Sequence, residues 1–471
     1  MSRARVIPAV DLLLGHPEVQ ALTARHGAGP VRDALDAAIQ GLRTALLAGD
    51  ARDVVDRSGA EAALLVRIAT AFATRRQAAL QPVINATGVI IHTNLGRAPL
   101  GRVALTAIGE VAAGYCSLEF DLASGQRGSR HALLDRSLRD ATGADSGLVA
   151  NNTAAAMTVA LAALAGGREV IISRGELVEI GGGFRVPEIL RMSGAVLREV
   201  GTTNRTRAAD YAAAVSPRTG AFLRVHPSNF RMTGFTERPE LSELAGIARR
   251  LQVPLLEDQG SGWLGLDLFE ADAFPADTRA LLADEPSVRA SVRHGADVIG
   301  FSGDKLLGGP QCGILVGRQD LLHRIRAHPL MRAVRADKLT YAALDATLQA
   351  FSQGRAITDV PVVRMLAEPA EAIATRATSL HDVLRDDHAD VRLEPGWSTI
   401  GGGSAPGSAV STTLVSVGAD AADRLLARLR GGTPPVVARI VDGRVCLDLR
   451  TVEPASDGML ADALTVALAL R

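Results

Sequence analysis

Residues 301–313 read FSGDKLLGGPQCG, and their first residue ends an apolar run, residues 296–301, whose pattern predicts a buried strand. Of the 51 basic side chains in the chain only two are lysines, Lys305 in this stretch and Lys338. An arginine stays protonated, whereas a buried lysine amine can lose its proton and condense with an aldehyde. Lys305 is therefore the candidate reactive amine, and the alternative is a surface lysine without a role.

Short apolar strands alternate with helical patterns on both sides of this stretch. The predicted strands are residues 147–150, 170–172, 196–200, 222–225, 253–256, 296–301 and 314–317. Such alternation predicts an α/β fold, with a mainly parallel sheet covered by helices on both faces. Ligands of such sheets bind at the carboxyl ends of the strands.

Polar side chains stand where several of these strands end. Asn152 and Thr153 begin an alanine-rich helix, Asn229 follows the strand 222–225, and Asp258 follows the strand 253–256. Free amides at a helix start bind a phosphate ester, and a carboxylate keeps a pyridinium nitrogen protonated. Together with Lys305 these residues predict a pyridoxal 5'-phosphate site, although Asn152 and Asp258 taken singly could be ordinary caps.

Composition excludes several other classes of protein. The chain has 471 residues, 47% hydrophobic and 22% charged, which excludes wholesale disorder, and its formal net charge of zero argues against a generally basic surface. Its three cysteines are widely spaced, so we expect no disulfide framework and no metal site. It shows no signal-peptide pattern and no apolar run of membrane-spanning length, so a cytoplasmic location is expected.

Changes in pattern along the chain predict three domains. Residues 1–78 show helical spacing of apolar positions, residues 79–340 hold the strand and helix alternation, and residues 341–471 form a smaller α+β domain. The N-terminal module could bind nucleic acid, or it could serve only for packing or dimerisation.

Motifs along nearly the whole chain resemble those of fold type I pyridoxal phosphate enzymes, and within them those of the bacterial selenocysteine synthases, the L-seryl-tRNA(Sec) selenium transferases. The matching stretches are INATGVIIHTNLGRAPL, GQRGSR, NNTAAAM, SRGELVEIGG, VGTTNRT, VHPSNFRMTGFT, DQGSG, FSGDKLLGGPQCG, GGGSAPG and DGRVCLDLRTVEP. The sequence departs from the family at Pro227 and Gln259, where Thr and Leu are expected. We therefore expect the wall of the pocket beside the cofactor to differ from that of the family.

The resemblance implies a role for each matching residue. Lys305 would form the Schiff base and Asp258 would bind the pyridinium nitrogen, while Asn229 would lie near the phenolic oxygen of the cofactor. The phosphate cup would be formed by Asn152, Thr153 and Ser302. The phosphate of the selenium donor would be bound by Arg97, Arg332 and Arg335.

The resemblance also implies the reaction. L-seryl-tRNA(Sec) would become L-selenocysteinyl-tRNA(Sec) through an aminoacrylate intermediate, with selenophosphate as donor, for selenoprotein translation. The N-terminal module would bind the tRNA, and the chain would assemble as a ring of dimers, a homodecamer. The alternatives are a pyridoxal phosphate lyase of the same lineage acting on a free small amino acid or amino sugar, and a non-catalytic tRNA-binding scaffold.

Overall fold

The computed structural model describes residues 3–51, 53–77, 80–180, 184–385 and 390–469. The chain divides into two compact units, Met1–Val83 and Ile84–Arg471. None of the helices in the described ranges has the length and apolar character needed to cross a membrane.

The N-terminal unit is helical. Its long helix Ala28–Ala48 buries Val31, Leu35 and Leu42 on one face, as the 3.6-residue period requires. The helix Arg57–Gln77 contributes Leu64 to the same core. The helices of this unit are Arg3–Val6, which is 3-10, and the α-helices Val10–Leu14, Pro17–His26, Ala28–Ala48 and Arg57–Gln77.

A seven-stranded sheet forms the centre of the second unit. In spatial order its strands are Ser146–Ala150, Gly313–Gly317, Val298–Ser302, Leu255–Gly260, Thr219–Val225, Glu169–Ser173 and Val196–Val200. Neighbouring strands are parallel except at Gly313–Gly317, which is antiparallel to both of its neighbours. The mainly parallel sheet confirms the predicted fold class.

Helices cover both faces of this sheet. Successive strand residues point to opposite sides, so that Ile171 packs into one core cluster and Ile172 into the other. The helices of this part are Arg102–Ala112, Arg130–Thr142, Thr153–Ala165, Val186–Met192, Ala208–Ala214, Leu241–Leu251, Ala276–Asp284, Val288–His294, Gln319–Ala327, Leu330–Ala333, Lys338–Ser352, Ala356–Asp359 and Pro361–Ala367.

A second, five-stranded sheet holds the C-terminal part. Its strands in spatial order are Arg439–Val441, Arg444–Asp448, Val410–Val417, Val391–Gly401 and Val89–Ile91, and the helices Ala370–Arg385, Ala422–Gly431 and Asp457–Ala469 belong to the same part. The edge strand Val89–Ile91 thus comes from a distant point in the sequence. The predicted domain boundary at residue 340 falls inside the helix Lys338–Ser352.

Short elements complete the fold. The pairs of short strands are Phe120–Asp121 with Gln126–Arg127, Glu179–Ile180 with Phe184–Arg185, and Ile84–Asn85 with Val436–Val437. The 3-10 turns are Thr93–Leu95, Arg174–Glu176, Leu266–Leu268, Leu449–Thr451 and Pro454–Ser456.

Candidate active site

A cavity of about 310 Å³ lies at the carboxyl ends of the central strands. This is where open α/β sheets bind ligands. Its lining residues are Arg97, Asn152, Thr153, Ala154, His226, Ser228, Asp258, Gly260, Ser302, Asp304, Lys305, Gln311 and Cys312. Six of the nine predicted site residues are therefore brought together here, namely Lys305, Asp258, Asn152, Thr153, Ser302 and Arg97.

Lys305 lies in a tight turn after the strand Val298–Ser302 and is buried. The turn is held by its backbone, because the amide of Gly303 donates to the carbonyl of Cys312 at 3.0 Å and the amide of Gly308 donates to that of Lys305 at 2.9 Å. Burial lowers the pKa of the Lys305 amine, which the charge of Asp258 opposes in part. The amine therefore becomes neutral, and nucleophilic, more readily than that of an exposed lysine.

Asp258 lies on the neighbouring strand Leu255–Gly260 and faces the same cavity. Burial raises the pKa of its carboxyl group to about 6, against the opposing charges of Lys305 and His226. The carbonyl of Asp258 accepts a hydrogen bond from the amide of His226 at 2.9 Å, which sets the two residues side by side. The charges of Lys305 and His226 therefore do not fully offset the cost of burying this carboxylate, so a positively charged ligand group beside it would be stabilised.

One side of the cavity is formed by the start of the helix Thr153–Ala165. Asn152 caps this helix, its Oδ1 accepting from the amide of Ala155 at 2.8 Å, and the hydroxyl groups of Thr153 and Ser302 are hydrogen-bonded at 2.7 Å. A Cβ at Gly313 would lie 2.2 Å from the carbonyl oxygen of Asn152, so only glycine allows the strand to approach so closely. The first-turn amides have no partner within the helix and suit an anion.

Arg97 reaches the cavity from a strained position. It is one of the few non-glycine residues with positive φ, 64°, and it follows Gly96 at φ 91°. Its Nη1 lies 2.7 Å from Oδ2 of Asp304, the residue before Lys305. The guanidinium is thus fixed beside the reactive amine.

Three predicted residues lie elsewhere. Asn229 is exposed and its Nδ2 donates to the carbonyl of Glu179 at 2.9 Å, away from the cavity. Arg332 and Arg335 line a second cavity of about 460 Å³. This second cavity is close in the fold, because the backbone of Arg335 pairs with that of Ala150, just before the capped helix.

The second cavity is rich in arginine. Its charged and titratable lining residues are Glu119, Arg127, Arg130, His131, Arg326, His328, Arg332 and Arg335. Hydrogen bonds from Arg130 and Arg127 lower the pKa of Glu119. Burial, with the charges of Arg326 and Arg130, lowers the pKa of His131 to about 4, so this histidine is neutral at pH 7. The excess of guanidinium groups suits a small polyanion.

Sequence reasoning missed His226 and Ser228. Both line the first cavity, and the ring nitrogens of His226 and Oγ of Ser228 are buried without a hydrogen-bond partner among the described residues. Their place directly after the strand Thr219–Val225 was the signal that could have found them, because ligands bind at the carboxyl ends of such strands.

The two residues that depart from the family pattern lie outside the lining of this cavity. Gln259 is fully buried and points away from the cavity, where its Nε2 donates to Oγ of Ser261 at 2.7 Å and to the carbonyl of Pro286 at 2.6 Å. Pro227 lines a separate cavity. Gln259 thus braces the turn that follows Asp258.

Comparison with known proteins agrees with the motifs. A family described as L-seryl-tRNA selenium transferase matches residues 83–453, and one described as selenocysteine synthase N terminal matches residues 4–43. The L-seryl-tRNA(Sec) selenium transferase of Geobacter sulfurreducens is 45% identical over 452 residues, 95% of each chain. That of Moorella thermoacetica is 43% identical over 470 residues, 98% of this chain and 97% of its own.

A solved structure with the same fold is that of a D-glucosaminate-6-phosphate ammonia-lyase, with a TM-score of 0.57, 21% identity, and coverage of 84% of this chain and 97% of its own. At this identity the likeness concerns the fold alone. The family match and the relatives confirm the resemblance seen in the sequence motifs. The chain belongs to the L-seryl-tRNA selenium transferase family.

Proposed function

We propose that this protein is an enzyme that converts L-seryl-tRNA(Sec) to L-selenocysteinyl-tRNA(Sec), with pyridoxal 5'-phosphate as cofactor and selenophosphate as selenium donor. The observation that carries the proposal is the convergence of Lys305, Asp258 and the helix start at Thr153 on one cavity, in a chain of this family.

The residues present fit the cofactor. Lys305 would hold it covalently through Nζ, Asp258 would pair with its ring nitrogen, and the helix start with Thr153 and Ser302 would bind its phosphate. The orphaned polar atoms of His226 also call for a polar ligand. Bound there, pyridoxal phosphate supplies an electron sink that lets the serine β-hydroxyl leave and selenium add at the same carbon.

Lys305 would have a second task once the substrate amine has taken its place. Its amine lies in a buried site and its pKa is lowered by that burial, so it would accept the α-proton of serine at Nζ. The same nitrogen would return this proton after selenium has added.

Arginines would bind the selenium donor. Guanidinium groups bind phosphate bidentately, and Arg97 lines the cofactor cavity while Arg332 and Arg335 line the neighbouring basic cavity. An aminoacyl ester has no free carboxylate, so these arginines are left for a phosphate-like donor. Selenophosphate is the donor that this arrangement favours.

The N-terminal helical unit would bind the tRNA. A small-molecule lyase has no need of such a module, and the selenocysteine synthase N-terminal family matches residues 4–43. We further propose a homo-oligomer built as a ring of dimers, and a cytoplasmic location, which the three unpaired cysteines Cys116, Cys312 and Cys446 favour.

One assay tests the function. Purified protein loaded with pyridoxal phosphate is incubated with seryl-tRNA(Sec) and ⁷⁵Se-labelled selenophosphate, and we expect labelled aminoacyl-tRNA. A variant without residues 1–83 should keep the visible absorbance of the cofactor and lose the gel shift of seryl-tRNA(Sec). Absence of label from tRNA with the full chain, while a free amino acid or amino sugar is turned over, would establish the lyase alternative.

A further inference from the structure

The buried side chain of Glu285 lies next to His226, whose role in the cavity has not yet been explained. Oε1 of Glu285 lies 3.5 Å from Nε2 of His226, and the exposed fraction of the Glu285 side chain is 2%. Among the described residues neither of these two atoms has a hydrogen-bond partner. Since Nε2 faces Glu285, Nδ1 is the ring nitrogen left for a ligand of the cavity.

The same acid also binds the C-terminal part of the chain. Its Oε2 accepts a hydrogen bond from the amide of Ala405 at 3.0 Å, and Ala405 belongs to the glycine-rich motif at residues 401–407, GGGSAPG. A Cβ at Gly403, in the same loop, would lie 3.4 Å from Oγ of Ser228. The loop therefore packs behind both residues that sequence reasoning missed.

Charged groups surround the imidazole of His226. Burial works to raise the pKa of Glu285, but the nearby imidazole of His226 and the amide of Ala405 outweigh it and the pKa is lowered overall. The other titratable groups that face the imidazole are Asp258 and Glu257 on the adjacent strand, with Lys305 beyond Asp258. Glu285 thus places a carboxylate oxygen next to Nε2 of His226.

The order of the strand ends decides which part of the cofactor meets His226. The helix start at Thr153 lies on one side of Asp258 in the sheet, and His226 lies on the other. In pyridoxal phosphate the phosphate arm and the phenolic oxygen are on opposite edges of the ring. If the phosphate were bound at Thr153 and the ring nitrogen at Asp258, His226 would be on the side of the phenolic oxygen.

We propose that Glu285 is a positioning residue that keeps the ring of His226 oriented through Nε2, so that Nδ1 donates a hydrogen bond to the phenolic oxygen of the cofactor, and that the loop 401–407 holds Glu285 in place. This role rests on the proposed function, since it requires the cofactor. A hydrogen-bond donor at this position would stabilise the negative charge on the phenolic oxygen and so weaken its hold on the proton that it shares with the nitrogen of Lys305.

The test is the pH midpoint of the visible absorbance of the cofactor bound at Lys305. Glu285→Gln and His226→Phe should each raise this midpoint by about one pH unit, a tenfold change in proton affinity. The double variant should shift it no further than His226→Phe alone, because Glu285 acts through His226. Asp277→Asn is the matched control and should leave the midpoint unchanged: Asp277 lies on the helix Ala276–Asp284 just before Glu285 and binds the amide of Ser411 at 2.9 Å, outside the cavity lining.

The outcomes separate the two proposals. Without a visible band and without cofactor trapped on Lys305 in the unaltered protein, the proposed function fails. With a normal band, an unchanged midpoint in Glu285→Gln, or additive shifts in the double variant, overturns the role of Glu285. Should Glu285→Gln not retain the cofactor, His226→Phe decides alone, since phenylalanine has no donor and an unchanged midpoint there removes the hydrogen bond from the account.

Discussion

Replacing Asp258 by asparagine should stabilise the cofactor-free protein while it impairs cofactor binding. Burial raises the pKa of Asp258 from 3.8 to about 6. In the unfolded chain the carboxyl group ionises near 3.8, so the folded state holds its proton more tightly and loses stability as the pH rises. The penalty is absent below about pH 4, grows between pH 4 and 6, and is complete above pH 6, where it amounts to about 3 kcal/mol.

Asparagine has the same shape and never ionises, so it escapes this penalty. The assay is urea denaturation of the cofactor-free protein between pH 4 and 8, followed by the fluorescence of the buried Trp263. We expect Asp258→Asn to unfold at higher urea than the unaltered protein at pH 7.5, by up to about 3 kcal/mol, and to show no difference at pH 4. With pyridoxal phosphate bound the order should reverse, because the ring nitrogen loses its acidic partner.

Asp448 provides a control of opposite sign. It is also fully buried, but its oxygens accept hydrogen bonds from Ser398 at 2.7 Å and Thr412 at 2.9 Å. Asp448→Asn replaces one acceptor by a donor and should destabilise the protein. A less stable Asp258→Asn at pH 7.5, or a difference that does not change with pH, would refute the assignment of Asp258 as an uncompensated carboxylate.

Three further predictions follow from the site. Thr153→Val should weaken pyridoxal phosphate binding about tenfold in absorbance titrations, because a hydroxyl donor to the phosphate is lost. Thr158→Val should not weaken binding, because that hydroxyl donates within the same helix. Equal affinities for the two variants would contradict the assignment of Thr153 to the phosphate site. Arg332→Ala and Arg335→Ala should each raise the apparent KM for selenophosphate about tenfold and leave the cofactor spectrum unchanged, and an unchanged KM in both would sink the donor site. The rate at which Lys305 binds added pyridoxal phosphate should rise with pH around a midpoint below 10.5, since burial lowers the pKa of its amine, and a midpoint at or above 10.5 would contradict this.

Much of the fold was predictable because its strands are short, apolar and bounded by turn residues. The sequence indicated the strand Val196–Val200 with its observed bounds and the strand Gly313–Gly317 to within one residue. The strand bearing Asp258 runs Leu255–Gly260 and thus continues past the predicted end, because the buried polar residues 257–259 pack like apolar ones inside the sheet. Polar composition alone could not distinguish strand from turn there.

The site was predictable where it depends on chemistry and not where it depends on contacts between distant segments. Lys305, Asp258 and Thr153 were found because each carries a function at a strand end. His226 also follows a strand end, but its contact with Glu285, some sixty residues later in the chain, could not be predicted from the sequence. Likewise the edge strand Val89–Ile91 pairs with Val391–Gly401, and no local pattern announces such a pairing.

Borohydride reduction of the protein loaded with pyridoxal phosphate tests the central claim most directly. After proteolysis and mass spectrometry, the account predicts the added mass of the reduced cofactor on Lys305, and none on Lys338, whose Nζ donates to the carbonyls of Val111 at 2.6 Å and Gly114 at 2.8 Å. A peptide carrying Lys305 without that mass, or an undiminished transfer of selenium by Lys305→Ala, would contradict it.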